Sequence, residues 1–135
     1  MTRILVVDDE PALRRTLERA LGSLKYEVVA IGDAHLAYQM LDAGEYDLVL
    51  LDIHMQQMSG DTFFLALVRR WPRLATRVIF MTGDPWAVKA DWPADLRRCP
   101  VLSKPFTLDV LSAAICSALT AAEEGGEQQR KRNGG

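Results

Sequence analysis

Short apolar runs recur at regular intervals along the chain. Four are continuous blocks of aliphatic or aromatic residues at 4–7, 28–31, 48–51 and 78–81, and a weaker one occupies 100–102. Continuous rather than alternating apolar residues are typical of strands that are buried on both faces of a parallel sheet. The pattern therefore predicts five buried strands.

The segments between these runs carry apolar residues at helical spacing, which predicts helices with one buried face. The four stripes are Leu13, Leu17, Leu21 and Leu24; Leu36, Ala37, Met40 and Leu41; Phe63, Phe64, Leu67, Val68 and Trp71; and Leu108, Leu111, Ile115 and Leu119. Pro11 suits a first helical turn, and Ser59 and Thr107 are candidate N-caps. Charged residues such as Arg14 and Arg15 are expected on the exposed side of the first helix.

Strand and helix alternate five times, which predicts an α/β fold with an open parallel sheet and helices on both faces. Between residues 85 and 98, Pro93 interrupts the helical pattern, so we expect one short helix or two broken turns there. The segment 122–135 contains four glycines and no large apolar side chain. We therefore expect one domain over residues 1–121 and a disordered tail over residues 122–135.

Composition narrows the class of protein. Hydrophobic residues make up 49% and charged residues 25% of the 135 residues, which is ordinary for a soluble globular domain. With 18 acidic and 16 basic residues, the charge balance argues against direct nucleic-acid binding. No apolar run is long enough to predict a membrane span, and acidic residues occur too early in the N-terminal segment for a signal peptide. Cys99 and Cys116 lack metal-ligand spacing, and we expect reduced thiols and a cytoplasmic protein.

Polar residues follow the predicted strands in a chemically informative set. Asp8 and Asp9 follow the first strand, Asp52 the third, Thr82 the fourth and Lys104 the fifth. In an open α/β sheet these carboxyl ends form the ligand-binding edge. Three carboxylates there require a cation, and oxygen ligands favour Mg²⁺. With a lysine and a hydroxyl to neutralise phosphoryl oxygens, the set predicts a site that forms and holds an aspartyl phosphate.

The chain resembles the receiver domains of two-component response regulators. The resemblance covers residues 2–121 and rests on five segments: 4–11 (ILVVDDEP), 47–55 (DLVLLDIHM), 58–60 (MSG), 78–83 (VIFMTG) and 102–106 (LSKPF). It implies a flavodoxin-like, doubly wound sheet in the strand order 2-1-3-4-5.

The resemblance also implies a role for each site residue. Asp52 is the implied phosphoacceptor, Thr82 the switch hydroxyl and Lys104 the partner of the phosphoryl group. The implied Mg²⁺ ligands are the carboxylates of Asp8, Asp9 and Asp52 and the backbone carbonyl of His54. The Lys104–Pro105 peptide bond is expected to be cis.

A receiver accepts its phosphoryl group from a phosphohistidine, so the implied partner is a histidine kinase or a histidine phosphotransfer protein. Movement of Thr82 towards the phosphate is expected to remodel the face formed by the fourth helix, fifth strand and fifth helix, which then contacts a downstream protein target. A homodimer through the same face is left open.

Such a protein is not a conventional enzyme, although it assists its own phosphorylation and dephosphorylation. His54 and Asp84 stand at variable positions that tune phosphate lifetime in the family.

Two positions depart from the family pattern. Gln56 replaces a frequent proline, and Val101 replaces the usual aromatic residue that couples to the threonine. Trp86 and Trp92 lie nearby and are interpreted as packing residues.

Four other interpretations remain at this point. A phosphorylation-independent interaction module on the same fold would explain Val101, and the chain could be the receiver fragment of a hybrid histidine kinase. A phosphatase that works through a phospho-aspartate typically carries Asp-x-Asp after strand one, which Asp8-Asp9-Glu10 does not match. A flavin-binding module is disfavoured because no phosphate-binding loop follows that strand.

Overall fold

A five-stranded parallel sheet forms the centre of the protein. The structure is a computed structural model that describes residues 1–88 and 92–134. The strand order is β2-β1-β3-β4-β5, and every neighbouring pair is parallel, as the sequence predicted. The strands are β1 (Arg3–Val7), β2 (Glu27–Ile31), β3 (Leu48–Asp52), β4 (Val78–Thr82) and β5 (Val101–Ser103).

Within the described residues, five α-helices connect and cover the strands. They are α1 (Pro11–Ser23), α2 (Ala34–Ala43), α3 (Gly60–Arg70), α4 (Ala94–Arg97) and α5 (Leu108–Gly134), with 3₁₀ turns at Pro72–Thr76 and Pro85–Ala87. Pro11 opens α1 as predicted. The Thr107 hydroxyl caps α5 by accepting the Val110 amide at 3.2 Å. Ser59 occupies the N-cap position of α3, but its hydroxyl lies 3.0 Å from the hydroxyl of Thr62 and makes no capping bond to the backbone.

Alternate residues of β1 to β4 serve two separate cores, which explains their continuous apolar runs. The expectation of a fifth buried strand was wrong, because β5 buries only Leu102 and exposes Val101 and Ser103 at the edge of the sheet. Ile4 and Val6 of β1 belong to one core, and Leu5 and Val7 belong to the other. The first core includes Leu17 and Leu21 of α1 and Leu111, Ile115 and Ala118 of α5. The second core includes Ala34, Ala37 and Leu41 of α2 and Phe63, Phe64 and Leu67 of α3. The sheet is thus covered on both faces, as expected for a doubly wound fold.

The segment after β4 folds into two short pieces, in agreement with the sequence prediction. These are the 3₁₀ turn at Pro85–Ala87 and the four-residue helix α4, while residues 89–91 lie outside the described part of the chain. Trp92 is buried and its ring centroid lies 5.9 Å from that of Phe80, so its interpretation as a packing residue is confirmed. Trp86 is 87% exposed, so the same interpretation was wrong for Trp86.

Helix α5 continues beyond the domain boundary expected from the sequence. The helix runs to Gly134, and Ala122 is only 4% exposed. Glu, Gln, Lys and Arg are good helix formers, and the segment is rich in them even though it lacks large apolar residues. The domain boundary at residue 121 and a disordered tail in solution stay predictions.

None of the helices in the described part of the chain combines the length and apolar character that a membrane span requires. The two cysteines are separate free thiols, with Cys99 buried and Cys116 exposed.

Candidate functional site

The carboxyl ends of β1 and β3 bring three aspartates together. Asp8 directly follows β1, Asp9 comes next, and Asp52 is the last residue of β3. One carboxylate oxygen from each of the three lies within 4.8 Å of the others. Asp8 is fully buried, Asp52 is 4% exposed and Asp9 is half-buried, so two of the three carboxylates are removed from water.

Asp8 is held at all four of its polar atoms. Its amide donates to the Ile31 carbonyl at 3.1 Å. One carboxylate oxygen accepts the Glu10 amide at 2.9 Å, and the other accepts the Lys104 ammonium at 2.7 Å. Its carbonyl accepts a guanidinium hydrogen bond from Arg14 at 2.8 Å. The orientation of Asp8 is therefore fixed by contacts from β2, α1 and the loop after β5.

Lys104 lies between two carboxylates. Its ammonium is 2.7 Å from Asp8 Oδ2 and 3.5 Å from Asp52 Oδ2. Burial by itself lowers the pKa of Lys104, but the hydrogen bond to Asp8 and the charges of Asp52 and Asp8 raise that pKa overall. The lysine is therefore protonated at neutral pH. The Lys104–Pro105 bond is cis, as expected.

The surroundings of the Asp52 carboxylate disfavour its ionised form. Burial raises its pKa most, and the neighbouring charge of Asp8 raises it further. The charge of Lys104 and a 3.2 Å hydrogen bond from the His54 amide act in the opposite direction without cancelling the shift. One ammonium balances only one of three carboxylates, so the cluster retains excess negative charge. A hard divalent cation with oxygen ligands would neutralise it, and the donor set fits Mg²⁺.

Thr82 ends β4 beside this cluster, and its side chain is bound to the following loop. Its hydroxyl donates to the Asp84 carbonyl at 2.9 Å and lies 3.0 Å from the Asp84 amide, which donates back to it. The Asp84 carboxylate in turn accepts the Trp86 amide at 3.0 Å. A new partner for the Thr82 hydroxyl would therefore release this loop from the strand end.

The loop between β3 and α3 closes the other side of the site. The Gln56 amide donates to Asp9 Oδ2 at 3.1 Å, a bond that the proline common in the family at this position has no hydrogen to make. At the start of α3, the Gly60 amide donates to the Ile53 carbonyl at 2.7 Å. A Cβ on Gly60 would lie 2.5 Å from the carbonyl oxygen of Asp52, so glycine permits this close approach.

The structure thus brings together the side chains of Asp8, Asp9, Asp52 and Lys104. Thr82 joins this edge through its backbone carbonyl, which accepts the Lys104 amide at 2.7 Å. His54 is exposed and follows Asp52 in the loop. Its amide contacts the Asp52 carboxylate, whereas the metal-binding role of its carbonyl stays a prediction. Two residues escaped the sequence interpretation. Arg14 was expected at the surface but is half-buried and bound to Asp8, and Gly60 had no recognised role.

Comparison with known proteins identifies the family. A model of the response regulator receiver domain matches residues 4–116. The sensor histidine kinase RcsC of Escherichia coli is 36% identical over 83% of this chain, but the chain spans only 12% of RcsC. The response regulator receiver protein CpdR of Brucella abortus is 35% identical over 90% of this chain and 100% of CpdR.

A solved structure shows the same architecture. The response regulator protein TrrA from Thermotoga maritima, in complex with Mg²⁺ and BeF, superposes with a TM-score of 0.76 at 28% identity, covering 87% of this chain and 99% of TrrA. The family model, the relatives and the sheet topology agree. The chain therefore belongs to the response regulator receiver domain family and is a receiver of two-component signalling.

Proposed function

We propose that Asp52 is the phosphoacceptor and that its donor is a phosphohistidine on a histidine kinase or a histidine phosphotransfer protein. The observation that carries this proposal is the buried Asp52 carboxylate at the strand end, with Asp8, Asp9 and Lys104 clustered around it. A nucleophilic carboxylate in such a site needs charge neutralisation more than deprotonation. The cluster provides both an ammonium and a set of metal ligands for that purpose.

The transfer is a single displacement at phosphorus. A carboxylate oxygen of Asp52 forms a new O–P bond while the P–N bond of the phosphohistidine breaks, and the electron pair of that bond stays on the imidazole nitrogen. The product is an acyl phosphate, which water later hydrolyses to the carboxylate and inorganic phosphate. The protein is thus the acceptor and assists its own phosphorylation and dephosphorylation.

The residues around Asp52 divide the charge of the phosphoryl group among them. Mg²⁺ would be held by the carboxylates of Asp8, Asp9 and Asp52 and the carbonyl of His54, and when bound it neutralises phosphoryl oxygens and orients them. Lys104 is protonated and close enough to exchange a carboxylate contact for a phosphoryl oxygen. Asp8 keeps Lys104 at this position before the phosphoryl group arrives.

The switch acts through Thr82. When its hydroxyl donates to a phosphoryl oxygen, it gives up the hydrogen bond to the Asp84 carbonyl, and the loop after β4 changes position. That loop leads into α4, so the face formed by α4, β5 and α5 is remodelled. On this face we place the contact with a downstream protein target or with a second copy of the chain. Val101 of β5 is 37% exposed there, so this face offers an aliphatic surface where the family usually has an aromatic side chain.

Intact mass after incubation with acetyl phosphate and Mg²⁺ tests the proposal. The wild-type protein should gain one phosphoryl group, and Asp52→Asn should gain none. Asp42→Asn is the matched control because Asp42 is an exposed aspartate that pairs with Arg70 on the surface, and it should be modified like the wild type. Chelation of Mg²⁺ should abolish the adduct.

Persistence of the adduct in Asp52→Asn would refute the assignment of the acceptor. If the wild type gains no adduct, binding of beryllofluoride decides whether rapid hydrolysis has removed it. Failure of both would favour a phosphorylation-independent interaction module.

A further inference from the structure

Arg14 of α1 reaches back to the end of β1. Its Nη1 donates to the carbonyl oxygen of Asp8 at 2.8 Å, and the side chain is half-buried. That carbonyl belongs to the peptide group that joins Asp8 to Asp9. A charge-assisted hydrogen bond is stronger and shorter than a neutral one, so this contact restrains the peptide plane more firmly than a backbone partner would.

Gly32 provides the space in which the guanidinium lies. This residue directly follows β2, and a Cβ there would be 2.9 Å from Cζ of Arg14 and closer still to Nη1. Any side chain at position 32 would therefore displace the guanidinium from the Asp8 carbonyl. The obstructed atoms are the far end of a flexible side chain, so the fold itself could tolerate the substitution.

We propose that Arg14 is a positioning residue that fixes the Asp8–Asp9 peptide so that both carboxylates face a shared divalent cation. The absence of a side chain at Gly32 leaves the space that the Arg14 guanidinium occupies. This inference rests on the proposed function, because it concerns the same acidic pair. The Asp8 amide, which belongs to the preceding Val7–Asp8 peptide, is fixed by the Ile31 carbonyl, and the Asp8 carbonyl is fixed by Arg14, so the backbone is restrained on both sides of the Asp8 Cα. Without the Arg14 contact, the Asp8–Asp9 peptide can tilt, which moves the Asp9 carboxylate relative to the other ligands even though the Gln56 amide still contacts it.

If Arg14 acted only through its charge, its removal would change the affinity for a divalent cation in the opposite direction. A guanidinium near a cation site repels the cation, so removing its charge should tighten divalent binding if charge were its only contribution. If Arg14 acts by positioning, its removal should weaken binding in spite of the lost repulsion. The sign of the change in affinity therefore separates the two roles.

The test measures Mn²⁺ binding to the full chain by the loss of the electron paramagnetic resonance signal of free Mn²⁺, with Mg²⁺ as competitor. Arg14→Met and Gly32→Ala should each weaken the affinity by about tenfold, the scale expected for groups that orient metal ligands. The double variant should be no weaker than Arg14→Met, because both changes break one contact. Arg14→Lys should recover part of the loss. Arg15→Met, an exposed neighbour on α1, should not weaken binding.

The outcomes separate this inference from the proposed function. If the wild type binds no Mn²⁺, or binds it equally well after Asp9→Asn, the proposed metal site itself fails. If the wild type binds Mn²⁺ and Arg14→Met binds it equally or more tightly, the positioning role is overturned. A lower melting temperature with unchanged affinity would assign Arg14 to stability alone, and multiplied effects in the double variant would show that Arg14 and Gly32 act separately. Either result overturns the inference.

Discussion

Replacement of Gly60 by alanine tests how closely α3 is seated on the strand end that carries Asp52. A Cβ at this position would lie 2.5 Å from the Asp52 carbonyl oxygen and 2.8 Å from Cα of Ile53. Both atoms belong to the backbone, so no side-chain rotation relieves the contact. Because favourable carbon contacts lie at roughly 3.5–4.0 Å, the helix and the strand end must separate by about 1 Å.

The cost follows from this displacement. Overpacking a well-packed region costs about 1–3 kcal/mol, and alanine regains part of it through its higher helix propensity. We expect a net loss of about 2 kcal/mol in the free energy of unfolding. For a chain of this length, such a loss lowers the melting temperature by about 8 °C.

Gly22 provides the matched control, because the same substitution there should have the opposite sign. It lies in α1, and a Cβ would meet nothing within 4 Å. Gly22→Ala should stabilise the protein by about 0.5–1 kcal/mol, since alanine reduces the entropy of the unfolded chain without a steric cost. Thermal unfolding of both variants, followed by circular dichroism in the presence of a chelator, gives the comparison. A melting temperature for Gly60→Ala at or above that of the wild type would refute the close approach.

Three further predictions concern charge and burial. Lys104→Met leaves the fully buried Asp8 without its cation and should lower the free energy of unfolding by about 3 kcal/mol in the presence of a chelator. Adding Mg²⁺ should restore part of this loss, and an unchanged free energy of unfolding would contradict the prediction. Burial raises the pKa of Asp52, so the ionised carboxylate destabilises the metal-free fold above that pKa, and this penalty disappears as the pH falls. Asp52→Asn should therefore have a higher melting temperature than the wild type at neutral pH, and the gap between the two melting temperatures should shrink in acid. Equal melting temperatures at neutral pH would contradict this. Burial raises the pKa of the Cys99 thiol to about 12, so iodoacetamide should modify only the exposed Cys116 until the protein unfolds. Peptide mass spectrometry measures the labelling, and equal labelling of both cysteines in the folded state would contradict this.

The fold was predictable because its signal is local and repeated. Each of the strands β1 to β4 serves two cores, so nearly every residue in it must be apolar, as in Ile4 to Val7. The candidate site was predictable for a related reason. A parallel sheet places all its carboxyl ends at one edge, so acids, a hydroxyl and a lysine after separate strands are brought near one another by topology alone.

The details that escaped prediction depend on tertiary contact. Arg14 looks like any charged residue on an exposed helix face until Gly32 is known to lie beneath its guanidinium. The role of Gly60 likewise requires the distance between α3 and Asp52. Trp86 carries a large apolar side chain that a sequence pattern assigns to the core, yet it lies in a 3₁₀ turn that projects it into solvent.

Mapping the acceptor directly tests the central claim, that Asp52 forms the acyl phosphate. Borohydride reduces an acyl phosphate to the corresponding alcohol, which converts a phosphorylated aspartate into homoserine. After phosphorylation with acetyl phosphate and Mg²⁺, peptide mass spectrometry should find homoserine at position 52 and at no other aspartate. Homoserine at position 8 or 9, with an intact aspartate at 52, would contradict the account.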